Sequence, residues 1–209
     1  MIRTTTRHGH AKAVLIGAVI GGCRWPSISD GNTAASDVIV CPMKTSDQVV
    51  RKARPADAEA LADLFAETWQ LAYVGIIPHL HMRSMLQQRV PEWWVKAIGN
   101  GDNTLVMEVA GVVGGYVTYG RSRWPMPYQG EIYELYLSPP YQGIGLGEIL
   151  FEGARHMLDM RQLSGLLVWA LAQNEGAVSF YRRRGGQVVA RSNERYGATK
   201  VPKLGFGWS

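Results

Sequence analysis

The chain has 209 residues, enough for one domain with a sizeable core and too few for two comfortable ones. Hydrophobic residues make up 46% and charged residues 19%, ordinary for a globular protein, and the net charge of +5 forms no basic stripe that would demand nucleic acid. Both cysteines, Cys23 and Cys41, precede Met43, which excludes a disulfide scaffold or a thiolate metal site from the remainder and fits a reducing cytosol.

Arg3, Arg7 and Lys12 precede an uncharged run from Ala13 to Cys23, the order in which a secretory signal reads. Ile20-Gly21-Gly22-Cys23 resembles a bacterial lipoprotein cleavage box. Two plainer readings stand beside export: translation begins at Met43, or the segment is a disordered tail. Residues 24–42 lack helical or strand periodicity, and order begins at Val49. The expected division is an extension, residues 1–42, and a domain, residues 43–209. No apolar run approaches the roughly 20 residues that span a bilayer, so no membrane partner is expected.

Val49–Ala53 reads as a first strand, and Pro55 with Asp57 suits a helix start. Ala58, Leu61, Ala62, Phe65, Trp69 and Ala72 recur at three- and four-residue steps, predicting an amphipathic helix over 56–72 that Gly75 and Pro78 break. Shorter helical patterns cover His79–Gln88 and Pro91–Ile98. Strands are expected at Thr104–Val109 and Val112–Tyr119, joined by a tight hairpin at Ala110-Gly111. After a loop, Arg121–Gln129, another strand runs over Glu131–Leu137 and ends at Pro139-Pro140. Helix follows over Gly147–Met160, then a continuous apolar strand, Gly165–Leu171, of the kind buried on both faces. Asn174–Arg184 reads as a helix stopped at Gly185, and Val188–Arg191 and Lys200–Trp208 as closing strands.

The segment most informative about function is Leu137-Ser138-Pro139-Pro140-Tyr141-Gln142-Gly143-Ile144-Gly145-Leu146-Gly147, a strand running into a glycine-rich turn that opens a helix. Glycines let the backbone approach a ligand, and free N–H groups at a helix start point at an anion, binding phosphate without lysine. The plain reading is a strand-to-helix turn with no ligand. A Rossmann turn fails because Glu148 stands where its third glycine belongs, and a Walker loop fails for want of a lysine.

Gln142-x-x-Gly145-x-Gly147 after a strand resembles the pyrophosphate-binding signature of the GNAT superfamily of acyl-CoA N-acyltransferases. Asn174, Ala177 and Phe180-Tyr181-Arg182-Arg183-Arg184-Gly185 are similar to the family's asparagine-to-tyrosine helix, and the elements from Val49 to Trp208 come in the family's order. The resemblance implies an α/β (α+β) fold with a mixed, mostly antiparallel central sheet flanked by helices and splayed at the acyl-CoA site. It implies acetyl-CoA as cosubstrate, no metal, and a small-molecule or peptide amine as acceptor in the cytoplasm. Leu135, Tyr136 and Leu137 would bond the pantetheine arm through the main chain. Gln142, Gly143, Ile144, Gly145, Leu146 and Gly147, with Glu148 at the helix start, would cradle the pyrophosphate, and Asn174 would reach the pantetheine arm, although a helix N-cap explains Asn174 equally well.

Acyl transfer requires an amine of pKa ~10.4 to lose a proton and a thiolate, its thiol pKa roughly 8.5, to gain one. By resemblance Tyr181 donates the second proton; a core aromatic is its plain alternative. Glu131 and Glu134 are the candidate bases, and their spacing puts them on opposite faces of a strand unless a bulge intervenes. A solvated strand-end charge, or a water-mediated route without a protein base, remains open for either. Two residues depart from the pattern: Trp169 stands where ribosomal N-terminal acetyltransferases carry a glutamate, and Gly185-Gly186 replaces the family's Gly-Phe.

Trp69, Tyr73, Gly75–Pro78, Trp93, Trp94 and Trp124 supply aromatic area for an acceptor amine, with Trp69 and one of Trp93 and Trp94 expected in the core. His79 and His81 lack the companions of a metal site. The arginine run 182–184 suits water or CoA phosphates, and C-terminal edge strands are compatible with a homodimer. A CoA-binding sensor without turnover is the alternative function on the same fold.

Overall fold

The computed structural model describes residues 38–39, 47–101, 103–125 and 127–209. The signal-like run and both cysteines lie outside these residues. An eight-stranded sheet has the order β1-β2-β3-β4-β5-β6-β8-β7. The strands are β1 (Val38–Ile39), β2 (Gln48–Lys52), β3 (Thr104–Val109), β4 (Val112–Arg121), β5 (Gly130–Leu137), β6 (Leu166–Leu171), β7 (Gln187–Tyr196) and β8 (Thr199–Trp208). Among the described residues only the β5–β6 pair is parallel. Two residues of the expected extension, Val38 and Ile39, pair with Arg51 and Val50 and so add a short outer strand.

Helices α1 (Ala58–Tyr73), α2 (His79–Gln88) and α3 (Pro91–Gly99) precede β3. On this face Tyr73 of α1 meets Tyr136 of β5, and the Trp94 ring of α3 packs edge-on to Tyr116 of β4 at 5.1 Å. Helices α4 (Leu146–Asp159) and α5 (Glu175–Arg183) cover the opposite face, where Phe151 meets Trp208 and Tyr181 meets Phe206. The apolar stripe of α1 explains its placement, since Leu61, Phe65, Trp69 and Tyr73 are all buried.

Asp57 takes a larger part than the first-turn charge expected of it. It accepts both guanidinium nitrogens of Arg51 at 2.8 Å and the backbone N–H of Arg54 at 2.7 Å, binding β2 to the start of α1. Burial opposes its charge, but the hydrogen bonds from Arg51 and the Arg54 amide, with the positive charges of both arginines, together outweigh it and hold the carboxyl below its usual range.

The closing hairpin is longer than its hydrophobicity suggests. Ser192-Asn193-Glu194-Arg195 continues β7 because each residue pairs with β8, from Lys203 back to Lys200. Pairing, not apolar alternation, sustains a strand whose sides are both partly exposed.

Candidate active site

The parallel pairing of β5 and β6 stops early. Gly130, Glu131 and Ile132 oppose Leu166, Leu167 and Val168, and no register continues beyond them. β5 goes on to Leu137 paired with β4 alone, while β6 goes on to Leu171 paired with β8. A cleft therefore opens toward the C-terminal ends of both strands, where open sheets hold ligands. The side chains of Leu135, Tyr136 and Leu137 are buried, so these residues present main chain, not side chain, to the cleft.

At the end of β5 the chain turns sharply. Ser138 N–H donates to the Gly114 carbonyl at 3.0 Å, and a single 3₁₀ turn, Pro139–Tyr141, follows. Tyr141 lies flat on Gly114, where an added Cβ would stand 2.5 Å from the ring. Gln142 Nε2 donates to the Leu137 carbonyl at 2.7 Å, so this side chain braces the turn. Gly143 and Gly145 both take left-handed backbone, φ 76° and 93°, on either side of exposed Ile144. Gly145 is the N-cap of α4, placing the amides of Leu146 and Gly147 at the head of a 14-residue helix. Alternating left-handed glycines ahead of a helix start form a concave array of N–H groups suited to an anion. Glu148, one residue further on, is ion-paired with Arg184. That pairing keeps its carboxylate from confronting an anion unneutralised.

Asn174 caps α5, its Oδ1 accepting Ala177 N–H at 3.1 Å. Seven residues later Tyr181 points inward with no exposed area, surrounded by Phe151, Phe180, Phe206 and Trp208 at centroid distances of 5.3–6.1 Å. Its hydroxyl has no hydrogen-bond partner among the described residues. Burial pushes it well above the usual phenol range, with Tyr73 a secondary electrostatic cause. An orphaned hydroxyl in an aromatic cage costs stability unless a ligand answers it. The aromatic missing after Gly185 is supplied from elsewhere. Trp208 lies against Gly186, where a Cβ would come within 2.5 Å of the indole, and its Nε1 donates to the Arg184 carbonyl at 2.7 Å.

A bulge does intervene between the two glutamates. Thr118 opposes Glu134 while the next residue, Tyr119, opposes Ile132, which leaves Tyr133 as the extra residue of β5. Glu131 opposite Gly120 and Glu134 opposite Thr118 consequently share one face. Their surroundings differ. Glu134 is gripped by Arg89, with Nη2–Oε1 at 2.7 Å, and accepts the Tyr116 hydroxyl at 3.1 Å. Arg89 in turn stacks 3.9 Å from the Trp93 ring centroid. Glu131 accepts the Arg123 backbone N–H at 2.9 Å and its Nη2 at 2.8 Å. Burial raises the Glu131 carboxyl above its ordinary value, and Arg123 only partly offsets this. The Arg123 side chain is 40% exposed whereas Arg89 is 7% exposed, so the cap on Glu131 is a surface group and the cap on Glu134 is not.

The bulge opens onto a cavity of about 560 Å³ whose lining includes Glu134, Tyr133, Arg89 and Trp93. Trp69 and Trp94 are core residues, as the burial tendency of tryptophan predicts, and Trp93 lines the cavity together with an edge of Trp94. Trp124 stacks 4.6 Å from Trp169, with Lys203 Nζ over both rings. Sequence reasoning missed Arg89, Arg123 and Lys203, whose partners lie far along the chain or in another strand. Among the described residues no cluster of three metal-ligating side chains occurs, and no helix is long and apolar enough to cross a membrane.

The parallel pair that parts after Ile132 and the left-handed glycine turn ahead of α4 are the features that the resemblance to acyl-CoA-dependent N-acyltransferases predicts. The chain belongs to the acetyltransferase (GNAT) family, whose profile matches residues 58–186. It is 26% identical over 160 residues to the uncharacterised N-acetyltransferase YuaI of Bacillus subtilis, covering 76% of this chain and 91% of that protein. It is also 27% identical over 127 residues to the uncharacterised N-acetyltransferase MJ1207 of Methanocaldococcus jannaschii, covering 59% and 55%. Among solved structures, PaiA N-acetyltransferase of Thermoplasma acidophilum, in complex with coenzyme A, superposes with a TM-score of 0.60 at 20% identity, over 75% of this chain and 97% of that one. YncA of Salmonella typhimurium, with its cofactor acetyl-CoA, gives 0.59 at 22% identity, over 78% and 94%.

Proposed function

We propose that the protein transfers an acetyl group from acetyl-CoA to the amine of a small molecule by direct attack. The observation that carries the reading is the Tyr181 hydroxyl on α5, fully buried and without a hydrogen-bond partner among the described residues. The residues present fit CoA: the amides of Gly143–Gly147 suit its diphosphate, and the open edge of β5 at Leu135–Leu137 suits its amide-bearing arm. Asn174 holds the start of α5 and thereby sets the position of Tyr181.

Acetyl-CoA supplies a thioester, an acyl group already activated for attack. Glu131 accepts the proton that the amine must shed, and its raised proton affinity suits that task better than an ordinary carboxylate. Glu134, fixed by Arg89 and Tyr116, lines the cavity wall. The amine nitrogen bonds to the acetyl carbon as the carbon–sulfur bond breaks, and the departing sulfur takes the Tyr181 proton. Burial keeps the phenol in its protonated form near neutral pH, so the proton to be donated is present. Trp169, in the place of the glutamate of ribosomal N-terminal acetyltransferases, stacks with Trp124, which supports a small-molecule acceptor over a peptide N-terminus.

The test is thiol release from acetyl-CoA across a panel of amines, amino acids, polyamines and short peptides. Acceptor-dependent CoA formation with mass-verified N-acetyl product is the expected result. Saturable acetyl-CoA binding with no transfer to any acceptor would instead favour a binding module without turnover.

A further inference from the structure

The cavity at the β5 bulge carries an excess of positive charge that the mechanism above leaves unused. Four arginines line it: Arg89, Arg121, Arg123 and Arg161. Two are neutralised, Arg89 by Glu134 and Arg123 by Glu131. Arg121 and Arg161 have no carboxylate partner among the described residues. Arg161 is nevertheless held in place, its Nη2 donating to Asn103 Oδ1 at 2.6 Å and its guanidinium lying 5.8 Å from the Tyr119 ring centroid. Arg121 ends β4, where its carbonyl accepts the Tyr133 hydroxyl at 2.7 Å and so joins it to the bulge residue. The lining thus includes two arginines without a carboxylate partner among the described residues, together with Glu134.

We infer that the acceptor is a small amine that also carries an oxyanion, a carboxylate or a phosphate, bound by Arg161 and Arg121 in the cavity at the β5 bulge. This rests on the transferase reading above and narrows its substrate class. The cavity size, about 560 Å³, falls in the range of roughly 300–1,000 Å³ that holds small ligands. Guanidinium groups match planar or tetrahedral oxyanions through paired N–H donors, a geometry that lysine cannot offer. A plain alkylamine, which is a cation near neutral pH, or a polyamine with further positive charge, would meet like charge at these arginines and find nothing to bond.

The experiment compares matched acceptors under saturating acetyl-CoA: 4-aminobutyrate against butylamine, and phosphoethanolamine against ethanolamine. Wild-type enzyme is expected to favour the oxyanion member of at least one pair by about 10- to 100-fold in kcat/KM, the worth of one or two charge-assisted hydrogen bonds. Which pair shows the larger preference distinguishes carboxylate from phosphate. In Arg121→Gln/Arg161→Gln the preference collapses to within roughly threefold, through KM more than kcat, while the KM for acetyl-CoA is retained. Equal use of acceptors with and without the oxyanion by wild type, or a preference that survives the double substitution, overturns the acceptor assignment and leaves the transferase reading standing. No CoA release with any acceptor overturns both.

Discussion

Replacing Tyr181 with phenylalanine removes one oxygen from the aromatic cage formed by Phe151, Phe180, Phe206 and Trp208. A buried hydroxyl without a partner costs about 1–3 kcal/mol of folding free energy, and Phe fills the same space without that cost. The ligand-free variant is therefore expected to be more stable than wild type by about 1–2 kcal/mol, a rise in Tm of roughly 2–8 °C for a domain of this size. The same oxygen is the proposed proton donor, so turnover falls by about 10²- to 10⁴-fold, while acetyl-CoA still binds. Thermal unfolding of the ligand-free protein, paired with a CoA-release assay at saturating acceptor, reads both effects from one preparation. A variant less stable than wild type with turnover unchanged would refute the reasoning, since the hydroxyl would then be a satisfied core group.

Two further outcomes follow from the unequal glutamates. Arg89→Met strands the Glu134 carboxylate in the interior, at an expected cost of about 3–5 kcal/mol, and adding Glu134→Gln recovers a substantial part of it. Urea unfolding of the single and double variants checks this, and a loss below about 1 kcal/mol would show that Glu134 is solvated. Arg123 opposes the burial that raises Glu131, so Arg123→Gln raises the carboxyl further. A base must be deprotonated to act, so the acid limb of the kcat/KM profile lies above the ordinary glutamate pKa of ~4.3 in wild type and moves to higher pH in the variant. A limb that stays put or moves to lower pH would remove Glu131 from the mechanism.

Much of the fold is legible in the sequence because local pattern and tertiary role agree. His79–Gln88 and Thr104–Val109 coincide with α2 and β3, and the helix expected over 56–72 appears as Pro55–Asp57 followed by α1. The C-terminal half of β7 is not legible, because Ser192–Arg195 is polar and only its pairing with β8 makes it a strand. In the site, the glycine turn and the Asn174–Tyr181 helix are written in adjacent residues and can be read directly. The separate roles of Glu131 and Glu134 cannot be, for two reasons. A one-residue bulge at Tyr133 decides which face they share, and the arginines that cap them come from the end of α2 and from a loop. The substitution of Trp208 for the missing aromatic after Gly185 is likewise a contact across 22 residues of chain that no local pattern announces.

The central claim is that main-chain amides at the Gly143–Gly147 turn hold the diphosphate of CoA. Calorimetric titration with CoA and with pantetheine, which has the thiol arm but no diphosphate, tests it most directly. The expected result is saturable CoA binding at least roughly 100-fold tighter than pantetheine binding, consistent with several charge-assisted hydrogen bonds to the diphosphate. In Gly145→Val, where φ is 93°, a branched side chain must leave that backbone conformation, and most of the difference should vanish. Equal affinity for CoA and pantetheine in the wild-type protein, or no affinity for either, would contradict the account.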